Sequence, residues 1–475
     1  MRNSILTITT TALLICCSAT IRIQAQFSKK SPSETPAEPG LPSTLTELNA
    51  WYVEPPEGQN AATYYLRGFE ALQISDADRN SNDLPIIGKA PLPVLGEPIP
   101  TKLVVAMQSF AQRNKAPWPL LEQGAKFPAA RYPLDLTQGH NTLLPHLTKS
   151  RQTVNFARVE MLHMAAKHQS TVSTKMSLAT LAVVQSLRDE PIVISQVARS
   201  TCLSLWNEAL ERTLNEVVLL QTQLGQLSDA VAKAESREAA GMSYTRALVG
   251  QRVSTLSFFN QPSEQMAAQL IAITSGKPVE PNDATPSLEN PEFKNLTQNL
   301  KSQRAFAEET FNRALQLRKQ PFPDRLNVDA YVKSRMDEAK TNDFGLVLLL
   351  TPSLGGIAKK EAAGLAELRL AQTALALEQF RATNGGNYPT ALAGLAPKFL
   401  KDVPADPFDG QPLRYRKTAS GYQLYSIGAD LKDDNGKRES GNQGDLVFEV
   451  VKAPKAVSPP NARVPGTATA APDKP

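Results

Sequence analysis

Residues 385–450 read GGNYPTALAGLAPKFLKDVPADPFDGQPLRYRKTASGYQLYSIGADLKDDNGKRESGNQGDLVFEV. A helical pattern runs into this stretch from about Ile357, with apolar residues at Ala363, Ala366, Leu370, Ala374, Leu377 and Phe380. Steps of three and four place them on one helical face. Asn384-Gly385-Gly386 then ends the helix, because glycine accepts the left-handed conformation that a helix C-terminus uses. Three short β-type runs follow, at 413–416, 422–427 and 446–451, separated by 418–421 and by a longer polar loop at 428–445. The pattern predicts one long helix laid on a small three-stranded antiparallel sheet.

An ordered series of short motifs runs through the same residues: Tyr388-Pro389, Gly394-Leu395, Asp406-Pro407-Phe408-Asp409-Gly410, Pro412-Leu413-Arg414-Tyr415 and Tyr425-Ser426-Ile427-Gly428-Ala429-Asp430. In that order they resemble the globular head of the type II secretion major pseudopilin, with a weaker echo back to Leu346-Val347-Leu348-Leu349-Leu350-Thr351-Pro352. The resemblance covers 345–451 of the 475 residues. A pseudopilin begins with a cleavage motif and a long apolar helix. Here the segment is internal and Pro352 ends its apolar run after about seven residues, where a membrane span needs roughly twenty. The expectation is a reused module that does not assemble as a pilin.

The rest of the chain bounds the class of protein. Its 475 residues suffice for two or three domains, and 36 prolines imply several loops and linkers. With 51 basic and 46 acidic residues there is no basic footprint for nucleic acid. Residues 1–25 have the layout of an export signal: Arg2, a moderately apolar core from Ile5 to Ile15, and candidate cleavage points at Ser18-Ala19 or Gln24-Ala25. A lipid anchor on Cys16 or Cys17 is the less favoured reading, since Leu14-Ile15 lacks the small residue expected before a modified cysteine. After cleavage only Cys202 remains, so no internal disulfide forms, and its apolar helical setting predicts a buried, inert thiol.

Residues 26–59 read as a Pro-rich tether with one structured patch near Leu45 to Tyr52. Asn60 is placed to cap a helix over 61–73, and a helix follows at 101–114. The five prolines of 116–146 predict mostly loop there. Helix dominates from Leu147 onward, with breaks near Gln169 and Pro191, one run over 192–227, interruptions at Gly241 and Gly250, a linker at 276–291, and helices at 291–318 and 327–342. No clean 34-residue repeat is present. The predicted layout is mainly α: a multi-helix bundle or irregular helical-repeat array over 60–342, a pseudopilin-like α+β domain at 343–452, and a Pro/Ala-rich tail at 453–475.

For chemistry, the loop 428–445 concentrates Asp430, Asp433, Asp434, Asn435, Glu439, Asn442 and Asp445. Calcium takes six to eight oxygens, which carboxylates and loop carbonyls supply. The pseudopilin resemblance implies calcium in the equivalent loop, with Asp430 in the matching position. Asp430, Asp433, Asp434 and Asp445 are therefore the candidate calcium ligands. The competing reading is a solvated turn with Asn435-Gly436 at its tip, diluted by Lys432, Lys437 and Arg438. Asp406–Gly410 reads as a structural turn.

Elsewhere, Glu160 and His163 form a single Glu-x-x-His step without the second step a di-iron bundle needs. No Gly-x-Ser-x-Gly, His-Glu-x-x-His or phosphate-loop motif occurs. The leading expectation is an exported, periplasmic or extracellular, non-catalytic binding or scaffold protein of the bacterial cell envelope. It would take a protein partner there and have no membrane span after signal cleavage. The alternative is an envelope hydrolase, with Asp135 and His140 marking where its site would lie.

Overall fold

The computed structural model describes residues 40–275, 287–289, 291–351, 354–438 and 443–451. The signal segment 1–25 with Cys16 and Cys17, the tether up to residue 39, linker residues 276–286, Pro352, Glu439, Asn442 and the tail 453–475 lie outside the described residues.

Sixteen helices and one sheet make up the described chain. The first eight helices are α1 (Leu45–Trp51), α2 (Ala61–Ala71), α3 (Asp76–Asn80), α4 (Thr101–Arg113), α5 (Pro117–Gly124), α6 (Pro145–Ala166), α7 (Ser170–Gln185) and α8 (Val193–Glu216). There follow α9 (Gln221–Ala239), α10 (Met242–Phe259), α11 (Ser263–Ser275), α12 (Pro291–Lys294), α13 (Leu300–Leu317), α14 (Asn327–Thr341), α15 (Gly345–Leu350) and α16 (Ile357–Thr383). The strands are β1 (Arg414–Lys417), β2 (Tyr422–Ser426) and β3 (Leu446–Val450), antiparallel in the order β1-β2-β3. The chain is mainly helical and ends in a long helix with a small antiparallel sheet.

Local chemistry explains most boundaries. Asn60 accepts from the Ala62 N–H at 3.0 Å and so caps α2. At the end of α16, Gly385 and Gly386 take positive φ (62° and 83°), and the Gly386 N–H returns to the Arg381 carbonyl at 3.0 Å.

Three expectations are corrected. The Pro-rich stretch 116–146, expected to be mostly loop, is about half helical. Pro117 sits at the start of α5, where a missing N–H leaves nothing unpaired, and a 3₁₀ turn spans Leu136–Asn141. The single run over 192–227 is two helices. Val217 turns extended (φ −129°), and the next helix restarts with the Leu220 N–H donating to Gln223 Oε1 at 2.8 Å. The stretch 291–318 is likewise split at Asn299, a left-handed residue (φ 53°), with Gln303 Nε2 donating to the Leu296 and Gln298 carbonyls at 2.8 and 2.7 Å.

Glycines 241 and 250 part company. Gly241 is a true break, left-handed at φ 70°. Gly250 lies inside α10, and a Cβ there would stand 1.8 Å from the Pro191 carbonyl oxygen, so its role is close helix approach.

α16 organises the packing. It lies against α8 and α9 and also against β2 and β3. All six residues from Thr373 to Glu378 are buried, more than a full helical turn, so the helix is enclosed on every side over that turn. One continuous core joins Val154, Trp206, Leu210, Leu227 and Val231 of the helical part to Leu368, Leu375, Tyr422, Leu424 and Phe448. The C-terminal helix and sheet thus share their core with α6, α8 and α9. No helix among the described residues is long and apolar enough to cross a membrane.

Candidate functional site

The C-terminal sheet is braced by Asp406, which is fully buried. Its Oδ1 accepts from the Phe408 N–H at 3.0 Å and from Ser426 Oγ at 2.9 Å. Its Oδ2 accepts from the Ile427 N–H and from Arg414 Nη1, both at 2.9 Å. Burial pushes its carboxyl up and these donors pull it back. Asp409 caps Gln411 N at 3.0 Å and pairs with Arg414, and Gly410 takes φ 76°. The Asp-Pro-Phe-Asp-Gly motif therefore ties the turn before β1 to the end of β2.

The loop 428–445 leaves β2 through Gly428 (φ 71°), whose missing Cβ would stand 2.5 Å from the Gly444 carbonyl oxygen. Asn435 and Gly436 both take positive φ, 59° and 79°, as a tight Asn-Gly turn requires. Three of the four candidate ligands, Asp430, Asp433 and Asp445, accept from backbone donors. Asp430 Oδ1 accepts from Lys432 N at 3.2 Å and Oδ2 from Gly444 N at 3.3 Å. Asp433 Oδ1 accepts from Asn435 N at 2.9 Å, and its Oδ2 lies 3.7 Å from Arg414 Nε. Asp445 Oδ1 and Oδ2 accept from Asp434 N at 3.3 Å and Gly436 N at 2.6 Å. Asp434 itself is half-buried. Among the described residues there is no group of three or more His, Cys, Asp or Glu arranged to hold a metal ion. For calcium, Asp430, Asp433 and Asp445 would offer the ion the lone pairs that these N–H bonds leave unused.

Two residues that sequence reasoning missed fix the sheet to the helical body. Glu211 on α8 accepts the Glu449 N–H at 2.6 Å through Oε1, which also pairs with Arg438. Asn215, one turn on, donates Nδ2 to the Glu449 carbonyl at 2.8 Å and accepts the Val451 N–H on Oδ1 at 2.9 Å. Together they supply backbone partners along β3 where a fourth strand would sit. The signal was present: Glu211 and Asn215 are polar residues four apart beside the apolar Leu210 and Leu214. At the other edge, β1 pairs with β2 on one side only among the described residues. Arg416 and Lys417 on that strand are exposed.

The candidates in the helical part lie on α6 and at the 3₁₀ turn. Glu160 is buried and pushed up to about 7 by desolvation, with Oε1 lacking a partner. His163 is buried and pushed down to about 4, first by desolvation and then by Lys167. Asp135 caps the 3₁₀ turn by accepting from Thr137 N at 3.0 Å, and desolvation holds His140 down at about 4. No hydrogen bond joins Asp135 to His140 among the described residues, whereas His146 and Glu190, both buried, meet at 2.8 Å. Cys202 is buried, and desolvation pushes its thiol up to about 12. Comparison with protein-family models, curated proteins and solved structures gave no match to this chain.

Proposed function

We propose that this chain is an exported, non-catalytic binding and scaffold protein of the bacterial cell envelope. In this reading a pseudopilin-like module is built into a helical body and held in one orientation. The observation that carries the reading is the unequal treatment of the two sheet edges. β3 is closed by Glu211 and Asn215, while β1 keeps one side without a strand neighbour among the described residues. An edge strand with unpaired backbone groups is a template for strand addition, and main-chain bonds supply the affinity there. The proposed partner is an extended segment of another envelope protein, with acidic side chains opposite Arg416 and Lys417.

Export rests on the layout of residues 1–25. Enclosure of α16 over Thr373–Glu378, and its packing against α8, α9 and the sheet, support a module that does not polymerise through that helix. Calcium remains our proposed ion for the 428–445 loop, as a conformational support and not as a catalyst.

Photo-crosslinking tests the edge. A crosslinking residue at position 416 should capture a specific envelope protein, and one at position 449 on the closed edge should not. Equal capture at both positions, or none at 416, would remove the proposal.

A further inference from the structure

α2, α7 and α9 converge with residues 125–130 around a cavity of about 400 Å³. The space exists because Ala182, Ala230 and Ala234 face it with single methyl groups. Tyr65, Phe127, Leu178 and Leu181 give it an apolar lining, and Phe127 is fixed by stacking on Tyr64 at 5.3 Å between ring centroids. Its size lies within the roughly 300–1,000 Å³ of small-molecule pockets.

The charged groups around it have one sign. Lys126, Arg188, Lys233 and Arg237 all line the cavity, and no aspartate or glutamate does. Arg188 is held in place, donating Nη2 to the Pro128 carbonyl at 2.6 Å and lying 3.3 Å from Asp189. Lys126 rests on Gln123 Oε1 at 2.8 Å. Lys233 and Arg237 form no ion pair among the described residues. Desolvation depresses the Arg188 guanidinium, Asp189 opposes that, and the positive charges of Arg237 and Arg199 depress it further.

A second, independent observation points to a ligand. Gln185, 9% exposed, lines the same cavity, and among the described residues its Nε2 has no hydrogen-bond partner. A buried amide donor without an acceptor is unfavourable, and an anionic oxygen in the cavity supplies the missing acceptor.

We propose that this cavity binds a small organic anion: an apolar body carrying one compact carboxylate, sulfonate or phosphate group. The body packs on Tyr65 and Leu181, and the anionic group meets Arg188, Lys233, Arg237 and the Gln185 amide. This goes beyond the scaffold reading, because the cavity is built from α2, α7 and α9 and does not involve the sheet edge.

The test uses the full chain and anilinonaphthalene sulfonate as a fluorescent probe. Saturable binding is expected, displaced by benzoate or phenyl phosphate and not by neutral benzyl alcohol. Whichever anion displaces at the lower concentration names the charged group. The Lys233→Gln/Arg237→Gln double variant should weaken binding by about tenfold or more, as loss of charge-assisted contacts predicts. Ala230→Trp should abolish binding by filling the space, while Lys333→Gln on exposed α14 leaves it unchanged. Thermal melts establish that each variant folds; should Ala230→Trp not fold, the surface charge variant decides. Displacement by benzyl alcohol equal to that by benzoate would overturn the proposal. So would unchanged binding in the charge variant, or the absence of probe and benzoate binding.

Discussion

Asn215 holds the backbone of Glu449 from 234 residues away in sequence, donating to its carbonyl at 2.8 Å. The same amide accepts the Val451 N–H at 2.9 Å, so one side chain satisfies two strand groups. Asn215→Ala strips both partners from a half-buried edge and should destabilise the chain by about 1–3 kcal/mol. Urea unfolding checks this, and a change within experimental error would mean that water replaces the amide at no cost.

Glu361 lies between two guanidinium groups, accepting from Arg318 Nη2 at 3.1 Å and Arg325 Nη1 at 3.0 Å, with all three side chains buried. Removing one partner of a buried ion pair leaves uncompensated charge, so Glu361→Ala should cost about 3–5 kcal/mol. Glu309→Ala breaks a pair with Arg335 in which the glutamate is exposed, and should cost less than about 1 kcal/mol. Parallel denaturant curves for the two variants give the contrast directly.

Stability should fall as pH rises through the neutral range. Burial pushes Glu367 from its ordinary 4.5 up to about 8, although the Ser204 hydroxyl at 2.6 Å acts in the other direction. Between those two values the folded chain holds a proton that the unfolded chain has released. The stability from this group is therefore complete below 4.5, declines with rising pH and is gone above about 8. Glu160 adds a decline of the same sign between 4.5 and about 7, while His140 and His163, held down at about 4, contribute a rise up to 6.5, so the net fall lies above 6.5. Glu367→Gln should flatten the slope and raise stability at alkaline pH by roughly 1–3 kcal/mol, measured by urea unfolding across the pH range. An unchanged slope in that variant would show that other groups set it.

Cys202 should be silent in the native state. Its thiol is buried and pushed up to about 12, so very little thiolate forms near neutral pH. A thiol reagent should label it only after denaturant is added. Prompt labelling of the folded chain would contradict the burial.

Calcium titration followed by thermal melting tests the loop. An ion that binds only the folded state raises stability by about 2.7 kcal/mol at a hundredfold excess over Kd. The expected result is a rise in Tm that Asp430→Ala abolishes. No rise would leave the carboxylates as acceptors for Lys432, Gly436 and Gly444 N–H alone.

The C-terminal part was legible because local signals carry it. Helix periodicity from Ile357, the Asn384-Gly385-Gly386 stop and the Asn435-Gly436 turn all act within a few residues of chain. Strand limits differ by about one residue, which is the usual uncertainty at element ends. Long-range features were not legible. Periodicity shows that Leu210 and Leu214 share a buried face, but not that Glu211 and Asn215 beside them meet a strand formed by 446–450. The cavity is harder still: Tyr65, Gln185 and Arg237 come from three separate helices, and the alanines that make room for it read in sequence as ordinary helix formers.

Because Glu211 and Asn215 grip main-chain atoms of β3, the grip does not depend on which side chains β3 carries. This divides the freedom to change unevenly between the two partners. In a lineage of such chains, the half-buried positions 447 and 449 are free to drift, whereas 211 and 215 are pinned. A single-residue insertion within β3 would turn its buried face outward and slide the backbone groups past both side chains, so the strand tolerates altered letters and not an altered length.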